Sequence, residues 1–281
     1  MYNYHPISKI PLTVSPVFSL FNIMNGNIST LIVKGERLQS IDMLRGIIMV
    51  IMTLDHVRDY FTASTFDPVD LTQTYPALFL TRWITHYCAP NFIFLAGISA
   101  YLYGEKVKDK KQLAIFLLTR GLWLVFLEFT LVRLGWFYNF DYDITIAQVI
   151  WAIGWVMVLL SLLIFLDASK VAFLGLIIII FHNLLDPLTP EMFGSFYWFW
   201  HILHDPGNIN LTENSSLFIG YPIFPWLGVI SAGYGFGQVF LLESQRRIVI
   251  LKRTGLSLIL LFLVVRGMNF YGDNSPWTIQ G

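Results

Sequence analysis

Cysteine is almost missing from this chain. Cys88 is the only one in 281 residues, so no intrachain disulfide can form and cysteine usage says nothing about the redox compartment. Charge is scarce as well: Asp, Glu, Lys and Arg make up 13% of the residues, about half the ~25% usual for soluble domains. Eighteen basic and eighteen acidic side chains cancel, so no global field draws in nucleic acid or an acidic partner. HExxH, CxxC, P-loop and GxGxxG motifs are all absent, which removes the local signatures of zincins, thiol redox proteins, NTPases and dinucleotide enzymes. What is abundant is hydrocarbon. Apolar residues are 56% of the chain, with 24 Phe and 9 Trp. A disordered chain, a DNA-binding domain and a disulfide scaffold are excluded; an integral membrane protein is what remains.

A helical span needs roughly 20 predominantly apolar residues to cross ~30 Å of hydrocarbon. Seven segments qualify, at 40–61, 77–103, 113–133, 145–166, 171–186, 221–242 and 248–271; the fifth is the shortest. Alternation of period two with regular turns, the pattern of a membrane β-barrel, is not found. The expected fold is therefore an all-α polytopic bundle of about seven spans. Lys106, Lys108, Lys110 and Lys111 crowd the second loop, and Arg246, Arg247, Lys252 and Arg253 the sixth, while 62–76, 134–144 and 187–220 contain no lysine or arginine. The positive-inside rule places the even loops and the N-terminus in the cytoplasm and the odd loops outside. Residues 1–35 read as a poorly defined tail: the apolar run 10–24 is too short to span and is broken by Pro11 and Pro16. Initiation at Met24 explains that run equally well. The transmembrane domain is expected over 36–281.

The first span carries polar groups at depth. Between Arg45 and the pair Asp55–His56 lies only GIIMVIMTL, a helical rise of about 15 Å or half the hydrocarbon thickness. Arg45 and His56 cannot both lie at interfaces, and a charged group at membrane depth marks a site or a pathway by default. Eleven residues at ~100° each make three turns plus ~20°, which puts Arg45 and His56 on one helical face. Asp42, one turn before Arg45, is placed to hold its guanidinium at i,i+3, and Asp55, pointing elsewhere, is placed to meet Arg58 or Asp59. A snorkelling arginine with an interfacial histidine is the structural alternative.

The second span repeats the theme with Arg82 and His86, followed by Pro90, Asn91 and the small residues AGISA. A kink is expected at Pro90, and close helix contact at Gly97, Ser99 and Ala100. Arg82, His86 and Asn91 are candidate cavity-lining groups. Glu128 is expected to pair with Arg120 or Arg133 in a structural role, Arg266 to snorkel, and His182 to be a satisfied bundle histidine. The stretch SFYWFWHILHDP at 195–206 reads as an interfacial aromatic belt or a sugar-stacking surface. His201, His204 and Asp205 within it form only a weak zinc pattern.

The run RLQSIDMLRGIIMVIMTLDHVRDYF at 37–61 resembles bacterial membrane proteins of the heparan-α-glucosaminide N-acetyltransferase catalytic-type family. TRWITHYCAPNFIFLAGISAYLY at 81–103, YPIFPWLGVISAGYGFG at 221–237 and RGMNFYGDNSPW at 266–277 are similar to the same family. The spacing of Arg45 and His56 is also similar to the signature of the wider membrane acyltransferase superfamily. The resemblance implies transfer of acetyl from cytoplasmic acetyl-CoA, a co-substrate, to a sugar amine or hydroxyl of the cell envelope on the far side of a bacterial inner membrane. It implies no metal, and it implies His56 as general base or transient acetyl carrier, with Arg45 toward the donor and Asp42 holding Arg45. Lys110, Lys111, Arg246 and Arg247 are the candidate contacts for CoA phosphates. Family members continue through further spans, so the domain is expected to be C-terminally truncated. Two other classes stay open on sequence: a transporter or flippase of a small amphipathic molecule, and a non-catalytic membrane scaffold. Homo-oligomerisation is not readable.

Overall fold

A computed structural model describes residues 39–62 and 66–269. The tail at 1–35, the alternative start at Met24 and most of the block at 266–277 lie outside the described residues. The elements are α1 (Gln39–Phe61), α2 (Pro76–Thr85), α3 (Cys88–Val107), α4 (Lys110–Leu127), α5 (Arg133–Phe137), β1 (Ile144–Ala147), α6 (Val149–Leu163), α7 (Ala168–Phe181), α8 (Tyr197–Leu203), β2 (Gly207–Thr212), β3 (Ser215–Ile219), α9 (Ile223–Phe236) and α10 (Ser244–Met268). A π-helical turn, Glu128–Val132, joins α4 to α5 without a break, and 3₁₀ turns extend α7 through Leu185 and α9 through Leu241.

Each of the seven apolar segments contains a helix. Four helical stretches are long and apolar enough to cross a membrane: Lys110–Phe137, Ala168–Leu185, Ile223–Leu241 and Ser244–Met268. They make this an integral membrane protein. The other three segments depart from plain spans for separate reasons. Helix α1 carries Asp42, Arg45, Asp55, Arg58 and Asp59 along its 23 residues. The second segment is not one kinked helix: it divides into α2 and α3 at His86–Tyr87. Pro90 falls in the first turn of α3, where a missing N–H leaves no helical bond unmade, so the expected kink is a helix start. The fourth segment yields only the 15 residues of α6, about 22 Å, because 144–147 is drawn into a strand.

That strand belongs to a small sheet of order β1-β3-β2 that the sequence reading did not contain. β1 runs parallel to β3 with Ile144 opposite Ser216 and Ala147 opposite Ile219, and β2 pairs antiparallel with β3. Its inward residues Ala147, Ile209 and Ile219 pack with Trp151 and Ala152 of α6. The strands are four to six residues long, and 145–147 continues directly into the apolar run of α6. Composition alone could not separate the two.

Glycine sets the distances between the central helices. A Cβ on Gly121 of α4 would lie 2.5 Å from the carbonyl oxygen of Gly154 in α6, and one on Gly154 would lie 2.7 Å from the carbonyl oxygen of Gly121. Gly175 of α7 and Gly228 of α9 meet in the same reciprocal way, and Gly97 of α3 faces the backbone of Ile230, Gly233 and Tyr234 in α9. Small residues let backbones approach where lipid supplies no hydrophobic drive between helices. Around these crossings lies the core of Ile93, Leu113, Leu117, Val156, Leu160 and Ile230. In α10, by contrast, no residue is buried, and Leu256 and Leu258 through Leu263 are about half exposed or more.

The loops sort into two sets by their contacts. Lys110 Nζ donates to the carbonyls of Phe165 and Leu166, Gln238 Nε2 lies 3.4 Å from Ser169 Oγ, and Tyr101 packs on Gly237. The second, fourth and sixth loops therefore share one end. At the other, Tyr60 donates to the Gly135 carbonyl at 2.8 Å and β1 pairs with β3, which joins the first, third and fifth.

Candidate functional site

Helix α1 is continuous from Gln39 to Phe61, so the Arg45–His56 phase holds along unbroken backbone. Arg45 faces α3, where its Nη2 donates to Ser99 Oγ and, at 3.4 Å, to the Leu95 carbonyl. Asp42 approaches the same guanidinium at 3.8 Å, as the i,i+3 spacing predicts. Arg45 is thus fixed against α3, with its side chain still about one-third exposed. Ser99 belongs to the small-residue run expected to serve packing, and its hydroxyl supplies the acceptor that lets the arginine stay there.

Three turns on, α1 reaches a denser group. The Asp55 carboxylate accepts from Arg58 and from Thr85 Oγ1 at 2.6 Å, and both of its oxygens accept from Arg82 Nη1, at 3.0 and 2.9 Å. One carboxylate therefore joins α1 to α2 with three donors. The Arg58 pairing is legible in sequence as an i,i+3 contact. Arg82 and Thr85 lie 27 and 30 residues away, and only tertiary structure brings them in. Tyr221, half-buried at the start of the sixth segment, is within electrostatic reach of Asp55 and Arg82.

His56 sits beside this group but is not part of it. Its ring meets Trp136 of α5 edge-on, with centroids 5.4 Å apart, and Tyr60 stacks on the same indole at 5.1 Å. The Nδ1 of His56 is buried with no hydrogen-bond partner among the described residues. One turn before Trp136 in α5, Arg133 is a fully buried side chain that holds the third loop. Arg133 donates to the Asn139 side chain at 2.7 Å and to the Ile144 carbonyl at 3.3 Å, and lies over the Tyr142 ring at 4.3 Å. Trp136 and Tyr60 lie against His56 and the sequence did not mark them, since aromatic residues near a membrane surface are common; Arg133 was singled out there only as a partner for Glu128.

Glu128 pairs with neither Arg120 nor Arg133. Its buried carboxylate accepts backbone N–H bonds from Gln148 at 3.2 Å and Trp151 at 2.9 Å, which caps the N-terminus of α6 with an anion where donors are orphaned and the dipole is positive. The role is structural, as expected, but its partner is a helix end. The π turn that starts at Glu128 is the local irregularity at this contact.

The remaining candidates scatter. His86 is exposed and bonds through Nδ1 to the Arg82 carbonyl at the end of α2, and Asn91 donates to the Tyr87 carbonyl. Both tie down the α2–α3 break. Among the proposed phosphate contacts, Lys110 caps the carbonyls that end the α6 segment and Arg247 donates to the Phe240 carbonyl at 3.3 Å. Lys111 and Arg246 project as exposed side chains. The weak zinc pattern does not assemble as expected: His201 Nδ1 contacts the Asp205 carbonyl, whereas His204 turns to Asp186. His182, expected to be a satisfied histidine, has a buried Nδ1 without a hydrogen-bond partner among the described residues.

With this geometry established, comparison with known proteins adds one match. The family model for heparan-alpha-glucosaminide N-acetyltransferase, catalytic, matches residues 37–271. That range holds the whole of α1 and every group around Asp55 and His56. Searches of curated proteins and of solved structures gave no match.

Proposed function

The chain belongs to the heparan-alpha-glucosaminide N-acetyltransferase catalytic family, an acetyltransferase-type membrane enzyme family, and from that premise we propose the direction and chemistry of its transfer. The donor is acetyl-CoA from the cytoplasm, and the acceptor is an amine or hydroxyl of a cell-envelope sugar on the outer side of a bacterial inner membrane. The even loops, basic and gathered at one end, face the donor; the loops without lysine or arginine face the acceptor.

The observation that carries this reading is the line of polar groups along one continuous helix. Arg45 lies toward the basic end, fixed by Asp42 and Ser99. His56 lies about 16 Å further on, with a buried ring nitrogen that has no hydrogen-bond partner among the described residues. That separation is too long for a direct bond between them but suits a donor and an acceptor that meet between two ends. In the proposed step the acceptor N or O attacks the thioester carbonyl, His56 takes its proton, the C–S bond breaks, and the proton passes on to the departing CoA thiolate. Arg45, too far from His56 to touch the same reacting atoms, orients the donor. Asp55, bound to Arg58, Arg82 and Thr85, is a positioning residue that fixes the end of α1 on which His56 stands. Lys111 and Arg246 are the proposed phosphate contacts; Arg82, His86 and Asn91 remain proposed lining groups of the acceptor side.

The test is incubation of labelled acetyl-CoA with membranes from cells expressing the chain, followed by identification of the labelled product. Label on a sugar, dependent on the protein, supports the reading. Movement of a small solute across vesicles without acetyl-CoA would replace it with a transporter.

A further inference from the structure

We propose that His182, Asp186 and His204 bind one divalent transition-metal ion, Zn²⁺ being the best match to two imidazoles and a carboxylate. One donor atom from each residue lies within 4.8 Å of the other two. The three come from two places in the chain. His182 opens the 3₁₀ turn His182–Leu185 after α7, Asp186 follows it, and His204 ends α8. The i,i+4 spacing of His182 and Asp186 was invisible as a ligand pattern without the third member.

Four observations converge on an ion. His204 is 8% exposed, and its Nε2 lies 2.9 Å from Asp186 Oδ1, a hydrogen-bond distance that widens to about 3.4 Å when both ligate one tetrahedral ion with bonds of roughly 2.0–2.2 Å. The Nδ1 atoms of both His182 and His204 are buried without a partner among the described residues. The ion beside Asp186 would be reached by His204 through Nε2, so the orphan that argues for it is the His182 nitrogen, which a hydrogen-bonded His204–Asp186 pair leaves unsatisfied. The other oxygen of Asp186 accepts from Asn183 Nδ2 at 3.0 Å, the outer-shell bond that orients a ligating carboxylate. Finally, Trp200 packs on the His204 ring at 5.1 Å and is itself stacked on Phe193 at 4.7 Å, so an apolar wall covers one side. Asp186 is one-third exposed, which leaves an entry path and room for water as a fourth ligand.

These residues are separate from α1–α3, and the proposed acetyl transfer does not run through the ion. Its role is to tie the end of α7 to α8 at the end of the protein where the odd loops meet. The two helices are joined there by a stretch of short 3₁₀ turns, which a metal clip would hold.

The experiment uses the full chain purified in detergent, stripped with a chelator and titrated with Zn²⁺, with metal content read by mass spectrometry. Co²⁺ serves as a second probe through its visible absorption. The expected result is one equivalent per chain, a tetrahedral Co²⁺ spectrum, and a rise in unfolding temperature on metal addition. His182→Gln and His204→Gln should each weaken binding by about a hundredfold or more, beyond the loss of an outer-shell partner, while His201→Gln should leave it intact. No stoichiometric binding by the wild-type chain overturns the proposal, whether or not the variants fold. So does binding that His201→Gln abolishes and His182→Gln does not.

Discussion

Asp55 on α1 and Arg82 on α2 are joined across 27 residues of sequence, with Nη1 of the arginine 2.9 and 3.0 Å from the two carboxylate oxygens. Arg58 and Thr85 complete the ring of donors around the same carboxylate. Removing Asp55 leaves two guanidinium groups facing each other without their shared anion. Asp55→Asn should therefore lower stability by about 1–3 kcal/mol, less than the ~3–5 kcal/mol for a fully buried pair because the Arg82 side chain is about one-third exposed. A cycle with Arg82→Met should show that the double variant loses much less than the sum of the singles. Thermal unfolding in detergent measures both; additive losses would mean the pair is not coupled.

Helix spacing offers a second test. Gly121→Leu or Gly154→Leu drives a side chain into backbone only 2.5 or 2.7 Å from the position of the new Cβ. Overpacking of this kind costs about 1–3 kcal/mol or more, and here no flexible side chain can yield. The folded fraction on size-exclusion chromatography should fall sharply. Gly255→Ala in α10, where nothing lies within 4 Å, should leave it unchanged.

Topology is open to a chemical probe. In a Cys88→Ser background, Asn208→Cys should react with a membrane-impermeant thiol reagent in intact cells, and Lys108→Cys should react only after lysis. The reverse pattern would invert the orientation and move the acetyl donor to the other face.

The donor contacts divide by what the side chains already hold. Lys111→Gln and Arg246→Gln together should raise the apparent KM for acetyl-CoA with little change in kcat, because remote phosphate contacts act alike on ground and transition states. Lys110→Gln and Arg247→Gln should instead reduce stability, since Lys110 and Arg247 hold backbone carbonyls. Saturation curves and melting temperatures for the four variants separate the two effects. A KM unchanged in Lys111→Gln/Arg246→Gln would leave these charges with membrane orientation alone.

For His56, loss of proton transfer alone should reduce acetyl transfer by ~10²–10⁴-fold in His56→Ala, with normal recovery of folded protein. A nearly complete loss, together with acetyl trapped on wild-type protein after donor addition, would indicate covalent carriage. Full activity in the variant would remove His56 from the mechanism and direct attention to His86.

The sequence by itself determined that this is a helical membrane protein and where its helices lie, because a span is a local property: enough apolar residues in a row have only one way to satisfy their backbone in lipid. It also determined the Asp42–Arg45 and Asp55–Arg58 pairs, since helical periodicity alone sets which side chains three residues apart can meet. The family was legible for the same reason, its first motif being a single unbroken helix. What the tertiary structure decided are the relationships that cross the chain. Glu128 binds the end of α6 instead of an arginine, Arg82 shares a carboxylate with α1, and His204 meets Asp186 and His182 instead of Asp205. Glu128 and His204 are buried and Arg82 partly so, and a polar group taken out of water binds whichever partner the packing brings within about 3 Å. Sequence distance carries no information about that choice. The small β1-β3-β2 sheet was hidden likewise, because four residues of strand gain their stability only from the edge they join.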